Sequence, residues 1–281
     1  MPKKYSKIEI ILIAVLACLV WGSAFAFAKI GFEYMPPVRL SGYRFMLAGL
    51  ILIPILVIRR YDWSELSGQF GFITLFAVIQ TFFQYGLFYF GLNLVPASIS
   101  AIIIGAGPFF VTIMAHYFLK NDQITIRKSL SIICGLLGVV FISLKNNVDL
   151  SQNPNFYWGV LALVMSNVIG SASNIVVVRH TKKLSSISLT AMSCFIGGAM
   201  LYLLSLVVEP EGSYGITGYP FEFYGALLWL AMIPALAFSL WYFILQLPGV
   251  KVSEINIWKF LTPVFGVVLS WIMLSNEKPN I

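Results

Sequence analysis

Charge is what this chain of 281 residues has least of. Only 10% of its residues are Asp, Glu, Lys or Arg, against about a quarter in a soluble globular domain. That excludes a water-soluble globule with a solvated charged shell. Cysteine is scarce too. Cys18, Cys134 and Cys194 are an odd set with no Cys-x-x-Cys spacing, so neither a disulfide framework nor a thiolate metal site is expected. His116 and His180 stand alone, with no cluster of His, Cys and carboxylates around them. Gly-x-Ser-x-Gly and a Gly-rich phosphate loop are also missing, which argues against a serine hydrolase and against ATP-driven pumping by this chain alone. No catalytic residue, metal or cofactor is expected.

Apolar residues fill the space. They make up 59% of the chain, and the mean hydropathy is +0.88. About 20 consecutive apolar residues cross a bilayer as a helix. Nine such runs are present, at 8–31, 38–58, 70–93, 97–119, 128–144, 157–178, 187–208, 223–245 and 252–274. The runs are continuous rather than alternating, so helices are expected and strands are not. Lys3, Lys4 and Lys7 before the first run resemble a signal peptide, with Ala24-Phe25-Ala26 as a mimic of a cleavage site. The run is too long for a signal core of 7–15 residues, and a retained first helix is expected.

The net charge of +7 could point to nucleic acid, but its distribution points to a membrane. Alternate connections hold 12 basic residues: Lys3, Lys4, Lys7, Arg59, Arg60, Lys120, Arg127, Lys128, Arg179, Lys182, Lys183 and Lys251. The other connections hold Arg39, Lys145 and Lys278, and the remaining three, Lys29, Arg44 and Lys259, lie inside runs. Basic loops stay in the cytoplasm. A multi-pass protein of the cytoplasmic membrane with a cytoplasmic N-terminus is expected, with the acidic loop at 209–222 outside.

The chain repeats itself. With Pro108 laid on Pro263, residues 97–122 (ASISAIIIGAGPFFVTIMAHYFLKND) run beside 252–277 (VSEINIWKFLTPVFGVVLSWIMLSNE). Ser98 then falls on Ser253, Leu119 on Leu274, Asn121 on Asn276 and Asp122 on Glu277; Gly22-Ser23 falls on Gly170-Ser171. Five spans per half is an odd number, so the second half must enter from the opposite face. The expected fold is an all-α integral membrane protein, an inverted repeat of two five-helix halves. Residues 1–144 form the first half, 145–156 a polar outer linker, and 157–281 the second. Nine of ten transmembrane helices are present, and the tenth is expected downstream as a further apolar segment.

Polar groups within the spans mark candidate solute contacts, because ionisable groups there face protein or water. Lys259 lies about seven residues, roughly 10 Å, into its span. Asn256 and Pro263 share its helical face, and Pro263 frees a backbone carbonyl. This face is the leading candidate, with Glu254 or backbone carbonyls as the structural alternative for the lysine. Asn167, Ser171 and Asn174 share another face. Gln80 and Gln84, and Tyr85 and Tyr89, form further stripes; interhelical hydrogen bonds explain any one stripe, but several together suggest a shared cavity. Trp21, Tyr85 and Trp241 could stack on a solute. Lys29 and Arg44 are candidates for an outer gate or a helix-to-helix brace, and Pro108 is the counterpart of Pro263.

Residues 19–29 (LVWGSAFAFAK), Arg44 in Tyr43-Arg44-Phe45, residues 94–108 (LVPASISAIIIGAGP) and the acids after Asn121 and Asn276 resemble the pattern of the EamA-type drug/metabolite transporters, over nearly the whole chain. The second half departs from it, with Ile169 and Val177 in place of the tryptophan and lysine. The resemblance implies a ten-helix inverted-repeat fold and export or exchange of small organic solutes such as amino acids. Membrane lipids surround such a protein, and a homodimer is one assembly open to it. A membrane-embedded enzyme or lipid-linked-substrate flippase, or a non-transporting receptor, is the alternative. Such an enzyme needs paired acids or a metal cluster near one interface, and neither is seen.

Overall fold

The computed structural model of the protein describes residues 5–58, 63–95, 100, 103–143, 154–180, 184–210 and 215–273. Every regular element among the described residues is helical. Helix α1 spans Lys7–Phe32, α2 Pro37–Ile58 and α3 Phe70–Leu94, with a short helix at Trp63–Gly68 before α3. Then come α4 (Gly107–Phe118), α5 (Ile126–Ser143), α6 (Phe156–His180), α7 (Ser186–Val208) and α8 (Phe221–Gln246). The last helix, α9, has three pieces: Val252–Asn256, a 3₁₀ turn at Ile257–Phe260, and Leu261–Met273. Helices α1, α2, α3, α6, α7 and α8 are long and apolar enough to cross a membrane. The expected linker, the first residues of the fourth run and the C-terminal tail fall mostly outside the described residues.

Local chemistry starts the helices. Ser6 accepts from the Glu9 amide, and Glu9 accepts in return from the Ser6 amide, so two donors of the first turn of α1 are satisfied. Ser185 caps α7 through the Ser188 amide. The far end of the bundle has a cap made between helices. The Val38 and Arg39 amides at the start of α2 donate to the Glu209 carboxylate at 2.8 and 2.9 Å.

Continuity is where expectation and structure part. Three of the runs are not uninterrupted α-helices: the break expected at Pro263 is present, and two further breaks were not expected. Pro263 has no N–H to bond the Lys259 carbonyl four residues back, and the chain tightens into the 3₁₀ turn there. Pro108 stands in the same relation to Ile104, and the apolar helix that begins at Ile103 is broken by a turn at Ala106. Helix α3 contains a π-helical turn at Val78–Phe83. There Thr81 backs onto Gly197 of α7, where an added Cβ would lie 2.3 Å from the Thr81 Cβ.

The contacts give the two halves opposite directions. At the end where α1 begins, Tyr5 meets Phe243, Phe72 meets His180, and Arg179 reaches the Phe118 carbonyl. These are the starts of α1 and α3 and the ends of α4, α6 and α8. At the other end, Gly159 near the start of α6 packs against Val95 after α3. The second half therefore begins where α1 finishes. Exchanging the halves preserves the packing: α1 on α8 corresponds to α6 on α3, α1 on α9 to α6 on α4, and α2 on α7 maps onto itself. The α2–α7 contact is tight because it is built on glycine. A Cβ on Gly42, Gly49 or Gly198 would come within 2.5–2.7 Å of the facing backbone. Close packing of this kind holds membrane helices together where lipid supplies no hydrophobic drive.

Candidate functional site

A cavity of about 170 Å³ lies among α1, α2, α3, α4, α6, α8 and α9, with room for roughly half a dozen waters. Both helix breaks face it: Ile104, Gly107 and Pro108 on one side, Lys259, Thr262 and Pro263 on the other. Broken helices meeting at a cavity are how many transporters present backbone and side-chain groups to a solute.

The Lys259 ammonium lies 4.4 Å from the Trp241 ring centre and 5.2 Å from that of Trp21. The two indoles are 5.2 Å apart and tilted by 57°. Lys259 has no hydrogen bond and no ion pair among the described residues. Glu254, the carboxylate raised as its structural partner, instead meets Lys251 at 3.4 Å, with both side chains about half exposed. The face shared with Asn256 and Pro263 is kept despite the 3₁₀ turn, and all three line the cavity. A second cation stands in the wall. Arg44 donates to the Tyr89 hydroxyl and lies over the rings of Phe45, Tyr85 and Tyr89 at 4.6, 5.7 and 5.5 Å. Among the described residues, no Asp or Glu lines the cavity. An indole face returns about 0.5–2 kcal/mol to a cation, against several kcal/mol for desolvating it. The cavity is left electropositive and open to an anionic group.

The polar face of α6 is largely spent inside the protein. The Asn167 side-chain amide donates to the Ile103 carbonyl at 2.5 Å, bracing the break in α4. Asn174 accepts from the Trp241 indole N–H at 2.8 Å and donates to the Gly170 carbonyl at 2.7 Å. Ser171 donates to the Asn167 carbonyl at 2.7 Å. All three line the cavity, but Asn167 and Asn174 hold a helix break and an indole in place. What is left for a solute lies elsewhere: the Trp21 indole N–H, the Arg44 Nε, Gln84 Oε1 and Asn256 Oδ1 are buried with no partner among the described residues. Such groups cost free energy unless something satisfies them.

Of the residues singled out from sequence, Lys259, Asn256, Trp21, Tyr85, Tyr89, Asn167, Ser171, Asn174, Trp241, Arg44, Pro108 and Pro263 all line this cavity. The Lys29 side chain lies outside the described residues. Phe88, Phe238, Ser166 and Thr262 also line it and were missed. Phe238 packs 5.8 Å from both Trp21 and Tyr85, but within an apolar run it carries no distinguishing signal. Ser166 had one: it precedes Asn167 on a helix already marked as polar, and it donates to the Gln84 carbonyl at 2.9 Å.

Comparison with known proteins decides the family. The profile of the EamA-like transporter family matches residues 8–144 and again 157–281. The chain belongs to the EamA-like transporter family. It is a multi-pass membrane protein of transporter type, and its relatives' names point away from an enzyme. It is 22% identical to "Uncharacterized transporter YoaV" of Bacillus subtilis, over 96% of this chain and 90% of that protein. It is 25% identical to a "Probable amino-acid metabolite efflux pump" of Salmonella typhimurium, over 94% of this chain and 86% of the relative. A solved crystal structure, 18% identical, superposes with a TM-score of 0.77 over 96% of this chain and 90% of its own. At that identity it speaks for the fold alone.

Proposed function

We propose that this EamA-type transporter exports or exchanges small organic metabolites that carry a carboxylate, amino acids or related solutes, across the cytoplasmic membrane by alternating access. The observation that carries this reading is the ammonium of Lys259, held between Trp21 and Trp241 and unpaired among the described residues, in a cavity whose described lining has two cations and no acid. A carboxylate there gains more than in water, because the local dielectric is low. The solute's apolar part stacks on the indoles, and its donors meet Asn256 Oδ1, one turn from Lys259, or Gln84 Oε1. The names of the Salmonella typhimurium and Escherichia coli relatives, both "Probable amino-acid metabolite efflux pump", agree with that solute class. The basic bias of alternate loops supports a cytoplasmic position for the end that holds the start of α1.

The test is counterflow in proteoliposomes with labelled amino acids, their decarboxylated amines and unrelated carboxylates. Accumulation of carboxylate solutes but not of the matched amines is the expected result. Accumulation of the amines alone would reject the reading.

A further inference from the structure

A second cavity lies on the α1-start side of the first. Leu119, Lys120 and Asp122 line it from the first half, and Leu245, Val250 and Lys251 from the second. One stretch of chain, leading into α9, runs past both cavities. Val250 and Lys251 border the second, while Asn256 and Lys259 border the first. Between them Val252 and Ser253 are fully buried, packed with the rest of this short piece against α4. At 1.5 Å per residue the partition is about 8 Å thick.

Asp122 ties this partition shut. It belongs to the first half and is the only buried carboxylate among the described residues. Its Oδ2 accepts from the Ser253 amide at 2.9 Å, and its Oδ1 accepts from the Ser253 hydroxyl. The Lys128 ammonium donates to Oδ1 at 2.5 Å and to the Gln123 carbonyl at 2.9 Å. Charge-assisted bonds of this kind are roughly twice as strong as neutral ones. Lys128 follows Asp122 closely in the chain, whereas Ser253 lies in the other half. Separating the halves would break the Ser253 bonds and leave the ion pair, so the carboxylate would not be stranded. The Val252–Asn256 piece is set off from the rest of α9 by the 3₁₀ turn, which supplies a hinge.

We propose that the second cavity is the cytoplasmic vestibule of the transport path and that Asp122, braced by Lys128 and bonded to Ser253, is the latch of the inner gate. The structure holds that gate closed. Lys120 and Lys251 at the vestibule wall suit an anionic solute on its way to Lys259. This inference rests on the reading of the first cavity as the solute site.

The test uses Val111→Cys, inside the first cavity, with the three native cysteines replaced by alanine. Inside-out vesicles are treated with an impermeant maleimide. Asp122→Asn keeps the shape and removes the charge, and should speed labelling about tenfold, as loss of a charge-assisted bond predicts. Asp122→Glu should stay near the parent rate. A folded Asp122→Asn protein labelled at the parent rate overturns the latch. Should Asp122→Asn fail to fold, Asp122→Cys with Ser253→Cys replaces it. A short reducible crosslinker should stop transport, and reductant should restore it. Full transport while crosslinked also overturns the proposal. Solute binding to the crosslinked protein is read separately. Latch results as expected, with no solute binding and no protection of Val111→Cys, sink the solute site and leave the gate.

Discussion

Helices α4 and α9 hold the same place in the two halves of the bundle, and they break at the same level. Each reaches the cavity just before a proline, Pro108 or Pro263, and each packs on the first helix of the opposite half, α6 or α1. In charge they part at one cavity-facing position. With the prolines aligned, Ile104 stands where α9 carries Lys259. Around Ile104 the neighbouring Ile103 carbonyl is occupied by Asn167. Around Lys259 two indoles offer their faces, and no carboxylate approaches among the described residues. The difference teaches that the break belongs to the architecture, copied in both halves, while the charge is carried by one copy, which on the proposed reading recognises the solute. Under the proposed function, the symmetric scaffold would let two equivalent helices move in turn, and the asymmetric charge would give the solute one place to be read.

The comparison can be broken most severely by erasing that asymmetry. Lys259→Ile makes α9 like α4 at this position. Ile104 shows that the fold accommodates isoleucine at such a break, so abundance and melting temperature should hold. Affinity for a carboxylate solute should fall about 10–100-fold, the range for hydrogen bonds to charged groups. Equilibrium binding to purified protein checks it.

Next in size is the break itself. Pro263→Ala and Pro108→Ala each return an N–H to the helix and remove a ring that disfavours regular α structure by about 3 kcal/mol. Both variants should slow proteoliposome transport while raising or preserving thermal stability. Pro263→Ala should have the larger effect, because its turn carries Lys259. Equal effects would mean that the two breaks act only as hinges.

The smallest effect sharpens the comparison from outside. Gly135 of α5 lets the Phe260 ring lie against it, and an added Cβ would sit 2.4 Å from that ring. Gly135→Ala should push on the 3₁₀ turn and lower solute affinity about twofold, a shift of roughly 0.5 kcal/mol. A control alanine at Gly71, where a Cβ meets nothing within 4 Å, should leave affinity unchanged.

The span pattern was legible because lipid demands long apolar runs, and every expected run found a helix. The inverted arrangement was legible from an odd span count and the Pro108–Pro263 alignment. Lys259 and Asn256 were legible because polar groups at depth are costly and therefore rare. The 3₁₀ and π turns were not, since proline marks only where a bond is missing and α3 has no proline at its π turn. Asn167 and Asn174 were read as facing a solute; a side-chain amide spent on a carbonyl or an indole gives the same spacing. The latch was half visible. Repeat alignment paired Asp122 with Glu277 and Ser253 with Ser98 as copies, but gave no hint that Asp122 bonds Ser253 across the halves.

The central claim is that Lys259 reads the charge of the solute, and a matched pair of solutes tests it most directly. One is a carboxylate and the other its neutral primary amide, of nearly the same shape, each titrated against the parent protein and against Lys259→Met. In the parent the acid should bind at least about tenfold more tightly than the amide, about 1.4 kcal/mol. In Lys259→Met the two should bind alike. The same preference for the acid in a folded Lys259→Met protein would contradict the account.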